Sequence, residues 1–252
     1  MNLKKIYFIG NLKLNGYAKD IKQIHAVKKY VSKKQNNKIE VVFCPPVTLL
    51  LSFCHEFKNK IIKIGAQDCS DTDLDYGAAT GSISCKQIKD LGSKYIIIGH
   101  SERRANGDND KVLSNKILNA YRNNLKIIFC IGESLNEFKK NIAFKKIKKQ
   151  INNVFSRNKK ILSKVIIAYE PVWSIGTGMV PKLEYLNKIF LKLHSFLKSS
   201  YKYESPLILY GGSVSKNNMN ELKNVTKCSG FLIGGASLKS KNFIDILKKY
   251  YN

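Results

Sequence analysis

The feature of this sequence that most restricts its fold is a regular alternation of short apolar segments with longer, lysine-rich amphipathic segments. Short apolar, β-branched runs are typical of strands that are buried on both faces of a parallel sheet. Eight such strands are predicted, at Lys5–Ile9, Ile39–Phe43, Ile61–Ala66, Tyr95–Ile98, Lys126–Ile131, Val165–Tyr169, Pro206–Tyr210 and Gly230–Ile233.

Between these strands apolar residues recur every three or four positions, which predicts helices. The clearest are Ala18–Lys34, Asn109–Asn123, Glu137–Phe155 and Leu183–Ser199. The 252 residues give each unit about 31 residues, the size of one strand-helix step. Alternation without a change in composition predicts a single α/β domain over residues 1–252, either a closed barrel or an open doubly wound sheet.

Reactive side chains distinguish between these two folds, because they follow predicted strands one, four, six, seven and eight. The ends of so many strands converge on one site only in a closed barrel, where catalytic groups lie at the C-terminal face. We therefore predict a (β/α)8 barrel, the TIM-barrel fold.

Strand six carries the strongest of these signals. Glu170 follows the apolar run directly, and Pro171 then ends the strand because proline cannot donate a ladder hydrogen bond. A carboxylate at this tip of a barrel strand has the position of a catalytic group. Residues 171–181 combine apolar residues with two glycines, which predicts a lid that closes over a ligand.

Strands one and four also end in candidate catalytic side chains. Asn11 and Lys13 alternate with leucines and so point the same way, although a lone lysine in this position is more often an ordinary surface residue. His100 precedes a predicted helix, whose positive end would hold the imidazole neutral and make it a proton donor. A core histidine bound to a backbone carbonyl is the alternative.

Glycine pairs follow the last two strands, at Gly211-Gly212 and Gly234-Gly235. Adjacent backbone amides without side chains are the usual phosphate cradle of a barrel. Either pair alone is also common in tight turns, so the two together carry this prediction.

Five segments, in this order along the chain, resemble the signature segments of the triosephosphate isomerase family: GNLKLN, GHSERR, AYEPVWSIGTG, YGGSV and GFLIGGASL. The resemblance extends from about residue 5 to residue 247, and the third segment is highly specific. It implies an enzyme that interconverts dihydroxyacetone phosphate and glyceraldehyde 3-phosphate. No metal or organic cofactor is implied, because the substrate's own carbonyl serves as the electron sink.

The resemblance also implies the roles of individual residues, which are those of the family. Glu170 resembles the base that moves a proton between C1 and C2, and His100 resembles the neutral electrophile that polarises the carbonyl. Lys13 would offset the charge of phosphate and enediolate, Asn11 would position it, and Glu102 matches a second acid. The phosphate would bind to backbone amides of Gly176, Ser213, Gly234 and Gly235.

Closure of the lid is expected to place Ile175 and Leu232 on either side of Glu170, which would desolvate its carboxylate and raise its pKa. The chain departs from the family in the lid and beside Lys13. Leu12 replaces a tryptophan, and Met179-Val180-Pro181 replaces a Lys-Thr-Ala-like end of the lid. Because proline fixes φ, the motion of the lid is the property that this change most affects.

A homodimer is implied through the third loop, residues 67–82, which in the family projects into the other subunit. Thr80 matches the threonine that supports the catalytic residues there. Ser82 replaces a glutamate that pairs across the interface with the arginine matching Arg103, and Asp68 replaces an asparagine. The dimer is therefore expected to persist but to be weaker than is usual in the family.

The formal net charge of +26 supports an alternative function, an inactive basic barrel that binds nucleic acid or anionic surfaces. Only four of the 44 basic residues are arginines, and the lysines are spread over the predicted helices, which favours solvated helix faces. A second alternative is a barrel enzyme that acts on a larger sugar phosphate.

The six cysteines show neither CxxC spacing nor clustered histidines, which predicts reduced thiols and no metal site. No apolar run approaches the length of a membrane span. The expected location is the cytoplasm, or a plastid-like organelle if a targeting leader precedes this sequence.

Overall fold

Eight parallel strands of the computed structural model close into a barrel in the order β1 to β8, with β1 paired to β8. The structure describes residues 5–34, 38–58 and 60–251. The closed barrel predicted from the sequence is confirmed, and the open sheet is excluded. The strands are β1 Ile6–Asn11, β2 Ile39–Cys44, β3 Ile62–Ala66, β4 Tyr95–Ile98, β5 Lys126–Ile131, β6 Ile166–Tyr169, β7 Ile208–Tyr210 and β8 Gly230–Ile233.

Helices surround the barrel in the described part of the chain. They are α1 Ile21–Lys34, α2 Val47–Glu56, α3 Cys85–Asp90, α4 Ser101–Ala105, α5 Asp110–Arg122, α6 Leu135–Lys139, α7 Ala143–Phe155, α8 Lys159–Leu162, α9 Leu183–Tyr201, α10 Met219–Leu222 and α11 Ser240–Tyr251. No helix of the described residues is both long and apolar enough to cross a membrane.

The strands bury both of their faces, as their continuous apolar runs predict. One face packs against the helices, where for example Phe129 of β5 meets Phe155 of α7 edge to face. The residues that alternate with these along each strand form the other face and fill the interior of the barrel, for example Ile128 and Cys130 of β5. The interior is therefore a packed core that holds the strand ends in fixed positions.

The predicted helix Glu137–Phe155 is wrong in one respect, because the structure divides it into α6 and α7. Asn141 has a φ of 57°, in the left-handed region, which asparagine tolerates better than most residues. The N–H groups of Asn141 and Ile142 donate to the carbonyls of Phe138 and Glu137, which is a Schellman motif that ends α6. The apolar period continues across this break, so periodicity alone could not locate it.

None of the six cysteines forms a disulfide within the described residues, and five of them are buried. In the same part of the chain, no group of three or more His, Cys, Asp or Glu side chains is arranged to hold a metal ion.

Candidate active site

A cavity of about 580 Å³ opens at the C-terminal ends of the strands. Its lining includes all but one of the predicted site residues: Asn11, Lys13, His100, Glu170, Gly176, Ser213, Gly234 and Gly235. Glu102, the exception, lines an adjoining cavity of about 690 Å³, which shares Asn11, Lys13 and His100 with the first. Residues from distant parts of the sequence are thus brought to one end of the barrel.

Glu170 extends β6 by one residue, since its backbone N–H donates to the carbonyl of Ile131 at 2.7 Å. Its side chain is only 3% exposed, and Oε1 lies 3.6 Å from Nε2 of His100. Among the described residues Oε2 has no hydrogen-bond partner. A Cβ on Gly211 would lie 2.6 Å from Cγ of Glu170, so the carboxylate occupies space that only glycine leaves open.

Burial raises the pKa of Glu170, while the nearby His100 and Lys13 act in the opposite direction. Desolvation is the larger effect, because the carboxylate has lost its water and gained few compensating hydrogen bonds. A carboxylate with a raised pKa is a stronger base than one in water, and this is the property that removal of a proton from carbon requires.

His100 is held by the start of α4, which it caps. The backbone N–H of Glu102 donates to Nδ1 at 3.3 Å, so the proton of the neutral ring belongs on Nε2. Nε2 is the atom that faces Glu170 and the cavity. The ring can therefore donate a hydrogen bond to a ligand that also lies within reach of the carboxylate.

Lys13 has a φ of 53°, a strained conformation for a residue other than glycine. Two side chains hold it there: Asn11 Oδ1 accepts from the Lys13 N–H at 3.0 Å, and Gln67 Nε2 donates to its carbonyl at 2.9 Å. Its ammonium group lies 2.6 Å from a carboxylate oxygen of Glu102. Because the Glu102 side chain is 55% exposed, this ion pair restrains Lys13 only weakly.

The predicted phosphate cradle lies at the end of β8. Gly234 precedes a 3-10 turn, Gly235–Ser237, whose first N–H groups have no carbonyl partner within the turn. A Cβ on Gly234 would lie 3.5 Å from Cε of Lys13, so the lysine side chain passes next to this turn. Free amides and an ammonium group thus face the same space, an arrangement suited to an anion.

The predicted lid, residues 171–181, begins with a 3-10 turn, Val172–Ser174. Trp173 Nε1 donates to Oε1 of Glu133 at 3.0 Å, and the indole packs on Phe138 with ring centroids 4.7 Å apart. At the other side, the Gly178 N–H donates to Oγ of Ser213 at 3.2 Å. The N–H of Ser213 itself donates to Oγ of Ser174 at 3.3 Å, so this predicted phosphate donor is bonded to the lid here.

Sequence reasoning missed two side chains that support the site. The sequence indicates only that Gln67 begins the third loop, yet its amide donates to the carbonyls of both Lys13 and Cys44. Glu133 accepts hydrogen bonds from Tyr169, Trp173 and Tyr185, and burial raises its pKa. Glu133 comes soon after a buried strand, as Glu170 does, and that position was the signal available for finding it.

Arg103, which the family resemblance predicts to lack a glutamate partner in a second subunit, is paired within this chain. Its Nε lies 2.8 Å from Oδ2 of Asp68, without the alignment of a hydrogen bond, and its Nη2 lies 3.2 Å from Oδ1 of Asp108. The same two aspartates bind the buried ammonium group of Lys116. The replacement of asparagine by Asp68 thus supplies from within the chain a negative charge near Arg103.

The comparison with protein families matches residues 6–250 to the model described as triosephosphate isomerase. The chain belongs to the triosephosphate isomerase family. The family resemblance predicted from the sequence is thereby confirmed, and the chain is an isomerase.

Relatives that are named triosephosphate isomerase align with this chain over nearly their whole length. The triosephosphate isomerase of Alkaliphilus oremlandii is 37% identical over 251 residues, which cover 97% of this chain and 99% of the relative. That of Saccharomyces cerevisiae is 39% identical, with coverages of 97% and 98%. The crystal structure of triosephosphate isomerase from Bartonella henselae superposes with a TM-score of 0.86 at 31% identity, covering 98% of this chain and 100% of that one.

The raised pKa of Glu170 predicts the pH dependence of the reaction. A base must be deprotonated to work, so kcat/KM should fall as the pH decreases through the pKa of this group. The acidic limb of the kcat/KM profile should therefore lie above the ordinary glutamate value of about 4.3. An acidic limb at or below that value would show that desolvation does not set the pKa of Glu170.

Proposed function

We propose that this chain interconverts dihydroxyacetone phosphate and glyceraldehyde 3-phosphate through an enediolate, as its relatives' names indicate. The observation that carries the proposal is the desolvated carboxylate of Glu170, 3.6 Å from the ring nitrogen of His100 in a cavity that also contains Lys13. A base, a proton donor and a cation are the groups that an aldose-ketose isomerisation needs.

In this proposal Glu170 removes a proton from C1 of the ketone and returns it to C2 of the enediolate. His100 donates a hydrogen bond from Nε2 to the carbonyl oxygen and moves protons between the two enediolate oxygens. Lys13 stabilises the negative charge that develops, and Asn11 fixes its backbone. Glu102, the second acid, lies beside both groups, since its carboxylate is 2.6 Å from the Lys13 ammonium group and 3.5 Å from Nδ1 of His100.

The phosphate is proposed to bind to the backbone amides of Gly176, Ser213, Gly234 and Gly235. The amides at the β8 end support this because they begin a 3-10 turn next to Lys13. Binding by amides leaves the carbon chain of the substrate within reach of both Glu170 and His100. The lid, with Ile175, then excludes water from the carboxylate.

We also propose that residues 1–252 form one barrel domain, that the working compartment is a reducing one, the cytoplasm or an organelle, and that the enzyme is a homodimer. The second cavity and the third loop support the dimer. The tip of this loop exposes Leu74 and Tyr76, the latter to 90%, while the cavity opens beside Lys13 and Leu14. An exposed apolar loop tip is costly in water unless a second copy of the chain covers it.

Replacement of the proposed base tests the activity. Glu170→Gln keeps the size of the side chain but removes the base, so kcat should fall by about 10²–10⁴ in a coupled assay of glyceraldehyde 3-phosphate conversion. The matched control is Glu204→Gln, which changes an exposed glutamate and should leave kcat unchanged. An inactive wild type that binds RNA with steep salt dependence would support instead the basic, non-enzymatic protein.

The stability of the dimer is tested by dilution. Because Arg103 is paired with Asp68 and Asp108 and Ser82 carries no charge, an interfacial ion pair is missing. Truncating one partner of a buried charge pair costs about 2–5 kcal/mol, much of it because the other charge is left unpaired. Asp68 and Asp108 keep Arg103 paired, so the loss should lie at the lower end of this range, and the dimer should still dissociate on dilution to nanomolar concentrations in analytical sedimentation. A dimer that persists at those concentrations would contradict this prediction, and a monomer at micromolar concentrations would contradict the dimer itself.

A further inference from the structure

The proposed base and the proposed proton donor come from strands that are not neighbours in the barrel. Glu170 follows β6 and His100 follows β4, and β5 lies between these two strands. None of the residues proposed for catalysis or for phosphate binding lies on β5. The distance of 3.6 Å between the carboxylate and the ring therefore depends on how the end of β5 is joined to each of its neighbours.

β5 and β6 are joined by backbone contacts as far as the base itself. Their ladder pairs Ile131 with Tyr169, and the N–H of Glu170 then donates to the carbonyl of Ile131 at 2.7 Å. The side-chain amide of Gln150, on α7, holds the next residue, since it binds both the N–H and the carbonyl of Gly132 at 3.0 Å. A Cβ on Gly132 would lie 1.8 Å from the carbonyl oxygen of Glu170, so the end of β5 contacts the backbone of the base directly.

β4 and β5 are joined differently, because their ladder ends at the pair Ile98 and Phe129. Beyond this pair a side chain connects the two strands. Arg104, on α4, donates from Nε to the carbonyl of Gly99 at 2.8 Å and from Nη2 to the carbonyl of Cys130 at 3.1 Å. One carbonyl belongs to the residue before the histidine and the other to β5. The guanidinium group thus bridges the strands at the point where the histidine leaves β4.

Arg104 is itself held in place. Its guanidinium carbon lies 5.4 Å from the centroid of the Phe129 ring, and Nη1 lies 3.8 Å from Oδ1 of Asp110. A guanidinium group is planar and carries its donors in a fixed fork, whereas an ammonium group is a point charge. Arginine can therefore hold both carbonyls at once in one geometry, which lysine cannot do.

We propose that Arg104 is a positioning residue for the isomerisation, which bridges the ends of β4 and β5 and so holds His100 at the working distance from Glu170. This assignment rests on the proposed function, because it assumes that these two side chains act on one substrate. Arg104 does not line either of the two cavities, so it acts through His100 and not on the substrate.

The test is Arg104→Ala, which removes the bridge without changing any residue of the proposed phosphate cradle. Since a displacement of about 1 Å in a catalytic group can lower the rate about 10²-fold, kcat should fall by about that factor and KM should change much less. The affinity for inorganic phosphate should keep its wild-type value. The affinity for the hydroxamate of phosphoglycolic acid, a planar mimic of the enediolate, should fall with kcat.

Added guanidinium separates a lost bridge from a loss of stability. The Arg104 side chain is 19% exposed, so the ion can enter the space that Arg104→Ala leaves. Guanidinium chloride at millimolar concentrations should raise kcat of this variant, whereas sodium chloride at the same ionic strength should not. Guanidinium destabilises folded proteins, so a variant that was merely less stable would lose activity instead.

Two further variants complete the comparison. Arg104→Lys keeps the positive charge but cannot span the two carbonyls, so its kcat should stay well below that of the wild type. Arg157→Ala removes an exposed arginine that follows α7, and it should leave kcat and both affinities unchanged, with or without guanidinium.

Full activity in Arg104→Lys would overturn the proposal, because the charge alone would then suffice. Equal losses of affinity for inorganic phosphate and for the hydroxamate in Arg104→Ala would also overturn it, as would a kcat that guanidinium does not raise. A wild type without isomerase activity, whose hydroxamate affinity falls in Arg104→Ala and returns with guanidinium, would contradict the proposed reaction and leave the positioning role supported. An active wild type whose kcat is unchanged in Arg104→Ala would do the reverse.

Discussion

Desolvation of the Glu170 carboxylate is the constraint on which the rest of this site depends. Removing an ionised carboxylate from water costs on the order of several kcal/mol, and here one of its oxygens has no hydrogen-bond partner among the described residues. The fold tolerates this because the carboxylate is attached to the end of a strand inside a packed barrel. Gly211 leaves the space for this side chain, and Gly132 leaves the space for the backbone carbonyl of Glu170, so a side chain at either position would collide with Glu170.

The neighbouring groups make this costly arrangement useful. The ammonium group of Lys13 and the ring of His100 favour the ionised form of the carboxylate without removing the effect of burial. Lys13 is itself strained, and the side chains of Asn11 and Gln67 stabilise its backbone. Charges held in fixed positions by the scaffold do not have to reorganise during a reaction, which is where electrostatic catalysis gains most.

Much of this arrangement could be predicted from the sequence, because the relevant signals are local. A buried strand that ends in Glu170 or His100 is visible in a few consecutive residues, and the alternation of segments then places those ends together. Side chains that act through distant partners gave no such signal. The contact of Asp68 with Arg103, the bonds of Gln67 to Lys13 and the bond of Ser213 to Ser174 depend on three-dimensional packing. The break at Asn141 was missed because the apolar period of α7 continues the pattern of α6.

The most direct test of the central constraint is the pH dependence of stability, compared between the wild type and Glu170→Gln by urea unfolding. Because burial raises the pKa of Glu170 in the folded state, the wild type should lose stability relative to the amide as pH rises through that pKa. The account predicts that Glu170→Gln is the more stable protein at neutral pH and that the difference disappears below the unfolded pKa of about 4.3. A variant that is less stable than the wild type at neutral pH would show that the carboxylate is stabilised by its surroundings, which would contradict the account.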